Sequence, residues 1–329
     1  MAKRKKKPAA VKIAGDPAEK PAVKPAGSAG KKQAIFLAVI AVFVIFTAGE
    51  IYFITMKALK QGKRPVFISS WHHNYKRGCT SIGQYGDYIY AIDSGRGDVY
   101  RNRKKTGKLE KIFAYSEGVY SALQNSAGDI YILTKNGQVI RIDGTTYAEK
   151  ERIQPEGITN PVWMEVDSGD NLYLVSYSTN HVVKYGPDFK KLLQFGGTGA
   201  AGDKLSGAKK VFAGPDDNMY VMDVHPDGSM DVKIFTSGGK FLKSWKVTHM
   251  AKVDWLTNMA VDTSGYVYIN AYQESRIYVY DNNGKFMSSF DSDKDKKYQI
   301  VYAPSVTGGK DGVIYVVSHS IALFEAMKY

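Results

Sequence analysis

The chain is 329 residues long, 44% hydrophobic and 23% charged, with 32 Gly and 23 Tyr. That is enough apolar material for a large folded core, and the Gly and Tyr content points to an all-β protein rich in turns. A single cysteine, Cys79, excludes an internal disulfide framework and any multi-cysteine metal centre, and six scattered His give no ligand spacing.

The formal charge of +13 is concentrated at one end. Residues 1–33 carry ten Lys or Arg against Asp16 and Glu19, whereas from Arg64 onward 32 basic residues face 29 acidic ones. The balance of the main domain is therefore too even to suggest a DNA-binding surface.

Residues 1–33 mix Lys runs with Pro, Ala and Gly, a composition that cannot bury enough apolar surface to offset chain entropy, and they read as a disordered tail. An apolar run follows. Residues 34–49 are sixteen uncharged positions. At about 1.5 Å per residue they fall short of the roughly 30 Å hydrocarbon core, so the expected membrane helix runs on through Glu50 to Met56. The short basic tail places the N-terminus in the cytoplasm and the main domain outside it. The alternative is a signal peptide cleaved near Gly49, releasing a secreted chain. Glu50 within the span, and the Ala34, Ala38, Ala41, Ala48 stripe, would suit close approach of a second membrane helix. Residues 57–63 form a short linker.

From residue 64 to the end the sequence is periodic. Turn residues followed by an apolar residue and Tyr recur as Asp87-Tyr-Ile-Tyr90, Gly128-Asp-Ile-Tyr131, Asp170-Asn-Leu-Tyr173, Asp217-Asn-Met-Tyr220, Gly265-Tyr-Val-Tyr268 and Gly312-Val-Ile-Tyr315. The Tyr positions are 41, 42, 47, 48 and 47 residues apart. That spacing, filled with short strands, predicts a six-bladed β-propeller over 64–329. Asn282-Asn-Gly-Lys285 and Ser237-Gly-Gly-Lys240 are hairpin signals between the third and fourth strands of their units. The sixth repeat ends without an outer strand. Phe67-Ile-Ser-Ser-Trp71 matches the outer strand Phe286-Met-Ser-Ser-Phe290, so strand 64–71 is expected to complete the last blade and close the ring.

Phe195-Gly-Gly-Thr-Gly-Ala-Ala-Gly-Asp-Lys-Leu205, Asp216-Asp-Asn-Met-Tyr-Val-Met-Asp223 and Met259-Ala-Val-Asp-Thr-Ser-Gly-Tyr-Val-Tyr268 resemble the repeat of NHL-family propellers. The resemblance implies the fold and a choice of functions. Similar propellers include calcium-dependent lactonases and a zinc-dependent lyase with ligands on the central axis, and others that hold RNA. For a cation, Glu165, Asn258, Asp223 and Asn270 lie near inner strands, but their positions within the repeats do not coincide, so no Ca or Zn cofactor is expected. Two basic clusters offer themselves to RNA, 101–111 and Lys204 with Lys209 and Lys210; both are interleaved with few aromatics. The remaining reading is a non-enzymatic, membrane-anchored interaction or scaffold module of an envelope assembly. Its partners would be other protein subunits, met by Glu50, Ala34, Ala41 and Ala48 in the membrane and by Gly199, Asp203, His225 and Asp227 in variable loops outside.

Overall fold

The computed structural model describes residues 66–72, 81–94, 96–106, 108–199, 201–251, 253–254, 256–291, 305–308, 313–317 and 320–325. The expected tail, membrane span, Glu50 and alanine stripe lie outside these residues, as does Cys79. Among the described residues no helix is long and apolar enough to cross a membrane.

The described chain is a β-propeller built from antiparallel sheets of four strands. Strand β1 (Val66–His72) comes first and belongs to the last sheet. Sheet 1 contains β2 (Ser81–Tyr85), β3 (Tyr88–Asp93), β4 (Asp98–Arg103) and β5 (Leu109–Ala114). Sheet 2 contains β6 (Val119–Gln124), β7 (Ile130–Thr134), β8 (Val139–Ile142) and β9 (Glu149–Ile153). Sheet 3 follows with β10 (Pro161–Val166), β11 (Leu172–Ser176), β12 (His181–Tyr185) and β13 (Lys191–Gly196). Sheet 4 has β14 (Ala208–Ala213), β15 (Met219–Val224), β16 (Met230–Phe235) and β17 (Phe241–Lys246). Sheet 5 has β18 (Asn258–Val261), β19 (Val267–Ala271), β20 (Arg276–Tyr280) and β21 (Phe286–Phe290). The last sheet orders β22 (Ser305–Gly308), β23 (Val313–Val317) and β24 (Ser320–Glu325) against β1, with Phe67 opposite Phe324 and Trp71 opposite Ile321.

The recurring Tyr explains why these segments become second strands. Tyr90, Tyr131, Tyr173, Tyr220, Tyr268 and Tyr315 are all buried, each in a strand whose neighbours on both sides supply a complete ladder. In register they sit opposite Gly83, Leu123, Glu165, Phe212, Ala260 and Thr307 of the first strands. The first strands of successive sheets touch in the order β2, β6, β10, β14, β18, β22, and β22 touches β2. Apolar side chains fill the space between neighbouring sheets, for example Ile92, Val99, Ile130 and Ile140 between sheets 1 and 2. Each such Ile contributes roughly 1.5–3 kcal/mol by leaving water. The turn at Asn282–Lys285 needs its glycine: Gly284 has φ 81°, and a Cβ there would lie 2.5 Å from the Trp245 ring of sheet 4.

Candidate functional site

Register places one residue of each first strand at a common level of the axis, two positions from the Tyr level. These are Ser81, Ser121, Trp163, Lys210, Asn258 and Ser305, opposite Ile92, Leu133, Val175, Met222, Asn270 and Val317. The level divides into two halves. In β6, β10 and β14 the register slips just before it, between Val119 and Ser121, Pro161 and Trp163, and Ala208 and Lys210. In β2, β18 and β22 the described ladder starts at this level, with Ser81, Asn258 and Ser305 as the first paired residues. A bulge leaves one residue unpaired and re-aims the side chain that follows it.

Asn258 and Ser305, on one side, are satisfied internally. Asn258 Nδ2 donates to Ser305 Oγ at 2.5 Å, Met259 N donates to Asn258 Oδ1 at 2.8 Å, and Asn258 N donates to Asn270 Oδ1. Ser305 Oγ also accepts from Ile82 N at 3.3 Å. The bulged half is not. The Ser121 hydroxyl and the Trp163 indole N–H are buried without a hydrogen-bond partner, their residues being 4% and 6% exposed. The Lys210 ammonium stands over the Trp163 ring, 4.5 Å from its centroid, and among the described residues it has no ion pair. Burial, reinforced by the neighbouring Lys209 charge, pushes its pKa down to about 7, although Asp254 acts the other way.

Ser121 and Trp163 line an axial cavity of about 40 Å³, together with Gln84, Glu165, Phe212 and Thr307. A space of that size is large enough to hold water. Trp163 and Phe212 pack across adjoining sheets with centroids 5.6 Å apart.

The residues considered for a cation disperse. Glu165 faces the cavity at the Tyr level, Asn258 and Asn270 bond to each other in sheet 5, and Asp223 is buried where it accepts from Ser206 N and Gly207 N at 2.7 and 2.8 Å. Lys233 pairs with Asp223 at 3.2 Å. Among the described residues no three His, Cys, Asp or Glu side chains come together as a metal site. These donors do not fit a calcium or zinc centre.

The proposed outer contact residues do come together in part. Asp223 ties the loop after β13 to the end of β15, and Val224 N donates to Gly207 O at 3.0 Å. These bonds fix Ser206 and Gly207, just before β14, to the end of β15, which leads into the turn with His225 and Asp227. Gly199, Asp203 and Asp227 are exposed; His225 is half-buried and meets Asp231 at 3.1 Å. The amide and hydroxyl of Ser229 hold the Asp227 carboxyl below the usual range.

The two basic clusters behave differently from their sequence appearance. In the first, Arg101 and Lys108 pair with Glu110 at 2.9 and 3.2 Å, and Lys111 pairs with Asp98 at 2.7 Å. Arg101 also lies on Tyr88 and Tyr147, 4.4 and 5.2 Å from their centroids, because sheet 2 brings up a ring from 46 residues away. The second cluster is pulled apart: Lys204 Nζ reaches Gly196 O at 3.2 Å, Lys209 Nζ reaches Asp254 O at 3.0 Å, and Lys210 turns to Trp163. In the sequence Lys210 stands in a basic cluster with Lys204 and Lys209. Its inner-strand position was legible from the repeat, but the bulge that re-aims it was not.

No known family profile and no curated protein matches the chain. Solved structures do share its fold. A streptogramin B lyase superposes with a TM-score of 0.53 at 10% identity, covering 78% of this chain and 96% of the lyase. Selenomethionine-substituted virginiamycin B lyase from Staphylococcus aureus gives 0.54 at 12% identity, covering 79% and 99%. A catalytically inactive variant of that lyase with quinupristin gives 0.52 at 11% identity, covering 79% and 99%. At such identities the likeness is one of fold.

Proposed function

We propose that the chain is a membrane-anchored, NHL-like six-bladed propeller, closed by β1, that binds other proteins of an envelope assembly through its exposed loops and performs no catalysis of its own. The exposed loops carry this reading: Gly199, Asp203 and Asp227 lie open to solvent in segments that flank strands of sheet 4, where propellers carry their specificity. Asp223 ties Ser206 and Gly207 to the end of β15, which fixes the loop before β14 to the strand that leads into the turn with His225 and Asp227. The apolar run 34–56 supports the anchor, and the pairing of Val66–His72 with β24 supports closure of the ring. A lyase reading draws on the fold shared with the streptogramin B lyases.

One experiment separates the two. The full-length chain is purified from membranes in mild detergent, its co-purifying subunits are quantified, and the same preparation is incubated with quinupristin. The binding reading expects stoichiometric partners, lost when Asp203, His225 and Asp227 are together replaced by Ala, and intact quinupristin. A chain that cleaves quinupristin and recovers no partner overturns it.

A further inference from the structure

We propose that the bulged half of the axial mouth, formed by Ser121, Trp163 and Lys210, is a binding site for a small carboxylate group. This goes beyond partner binding through the loops and does not depend on it.

The argument begins with what these three groups lack. An indole N–H is a donor only, an ammonium is a donor only, and a serine hydroxyl has a proton to give. Two of them are buried without a hydrogen-bond partner among the described residues, which destabilises the fold unless a ligand fills the role. Both line the same cavity, and the third lies against the ring of the second. Three donors at one level, with no acceptor assigned to them, call for an acceptor-rich ligand.

The backbone adds an independent sign. The three first strands that carry these residues, in adjoining sheets, each slip register immediately before them. The equivalent residues of the other half, Asn258 and Ser305, bond to one another. The bulges thus set three side chains apart from the satisfied ladder in adjoining sheets, as bulges beside binding sites do.

Charge fixes the ligand's sign and its depth. Lys210 supplies the positive charge at the mouth level, and its low proton affinity reflects a site that would favour a counter-charge. Glu165 lies two residues along β10 at the Tyr level, with Oε1 accepting from Val166 N at 3.2 Å. An anion therefore stops above Glu165, at the level of Lys210. The cavity's size admits a carboxylate head with the rest of the ligand directed outward.

The test uses the full-length chain in detergent, with acetate as probe and acetamide as its neutral counterpart, followed by ligand-observed NMR titration. Acetate should bind and acetamide should not. Lys210→Met should weaken acetate about tenfold, Ser121→Ala should weaken it several-fold, and Glu165→Gln should tighten it. N-acetylglycine against a longer peptide with a free C-terminus tells a small acid from a chain terminus as the natural source. Equal response to acetate and acetamide, or acetate affinity unchanged in both Lys210→Met and Ser121→Ala, overturns the proposal. Because Ser121→Ala removes only a hydroxyl and Glu165→Gln moves affinity in the opposite direction, a folding defect in Lys210→Met does not decide the result. Partner recovery by these variants stays at the wild-type level, so failure here is distinct from failure of the loop-binding reading.

Discussion

Sheets 3 and 5 are built from the same repeat, yet they hold their polar residues in opposite ways. Each carries an Asp after its first strand, Asp167 and Asp262, and each Asp accepts from the hydroxyl of the repeat Tyr, Tyr173 at 3.0 Å and Tyr268 at 2.9 Å. In sheet 3, Lys184 on β12 pairs with Asp167 at 3.2 Å; in sheet 5 the residue opposite Tyr268 is Val279. The consequence is electrostatic. Burial works to raise the Asp167 carboxyl, but hydrogen bonds from Asn171, Tyr173 and Lys184 outweigh it and the pKa falls. Burial raises Asp262, and its backbone and Tyr268 hydrogen bonds do not reverse the shift. At the axial mouth the order inverts: sheet 5 is satisfied through Asn258, while sheet 3 leaves the Trp163 N–H unpaired. Equal topology does not enforce equal polar accounting, and the exceptions show where a repeat has been given something else to do.

The sharpest way to break the comparison is Lys184→Met, which leaves Asp167 buried without its cation. A loss of about 3 kcal/mol in urea unfolding is expected, and an Asp167→Asn, Lys184→Met double variant should recover part of it. Asn258→Ala comes next, at about 2 kcal/mol, because Ser305 Oγ loses its donor in a buried site. A loss below 0.5 kcal/mol in either variant would show that the satisfied networks add little.

The two carboxyls should also differ in pH dependence. Asp262 binds its proton more tightly folded than unfolded, so it subtracts from stability as pH rises above about 4, and Asp262→Asn should flatten that slope. Asp167 binds its proton less tightly when folded. Its contribution is present at neutral pH and is lost as pH falls below about 4 through the folded value, so Asp167→Asn should cost stability at pH 7 and little at low pH. Unfolding curves across pH 3 to 7 for both variants check the opposite signs. The smallest loss is expected at the mouth, where Ser121→Ala removes a buried hydroxyl that has no hydrogen-bond partner among the described residues, so the variant should unfold at no lower urea concentration than the wild type.

The propeller itself was legible in the sequence because its signal is local and repeated: a turn, an apolar residue and a Tyr recur at blade spacing, and each Tyr lands in a second strand. The match of Phe67–Trp71 to an outer strand was also local, and the described residues hold the strand Val66–His72 beside β24. What the sequence could not supply were contacts that depend on exact register between strands or on neighbouring sheets. Lys209 and Lys210 are adjacent and identical in type, yet one reaches Asp254 in the segment before sheet 5 and the other the Trp163 ring in sheet 3, because a bulge at Lys209 alters the side-chain alternation. Tyr147 meets Arg101 only because sheet 2 lies on sheet 1. Period and composition determined the strands and their order; the slips of one residue that aim Ser121, Trp163 and Lys210 were decided by tertiary packing, since a bulge shifts register without changing the hydrophobic pattern that sequence reading relies on.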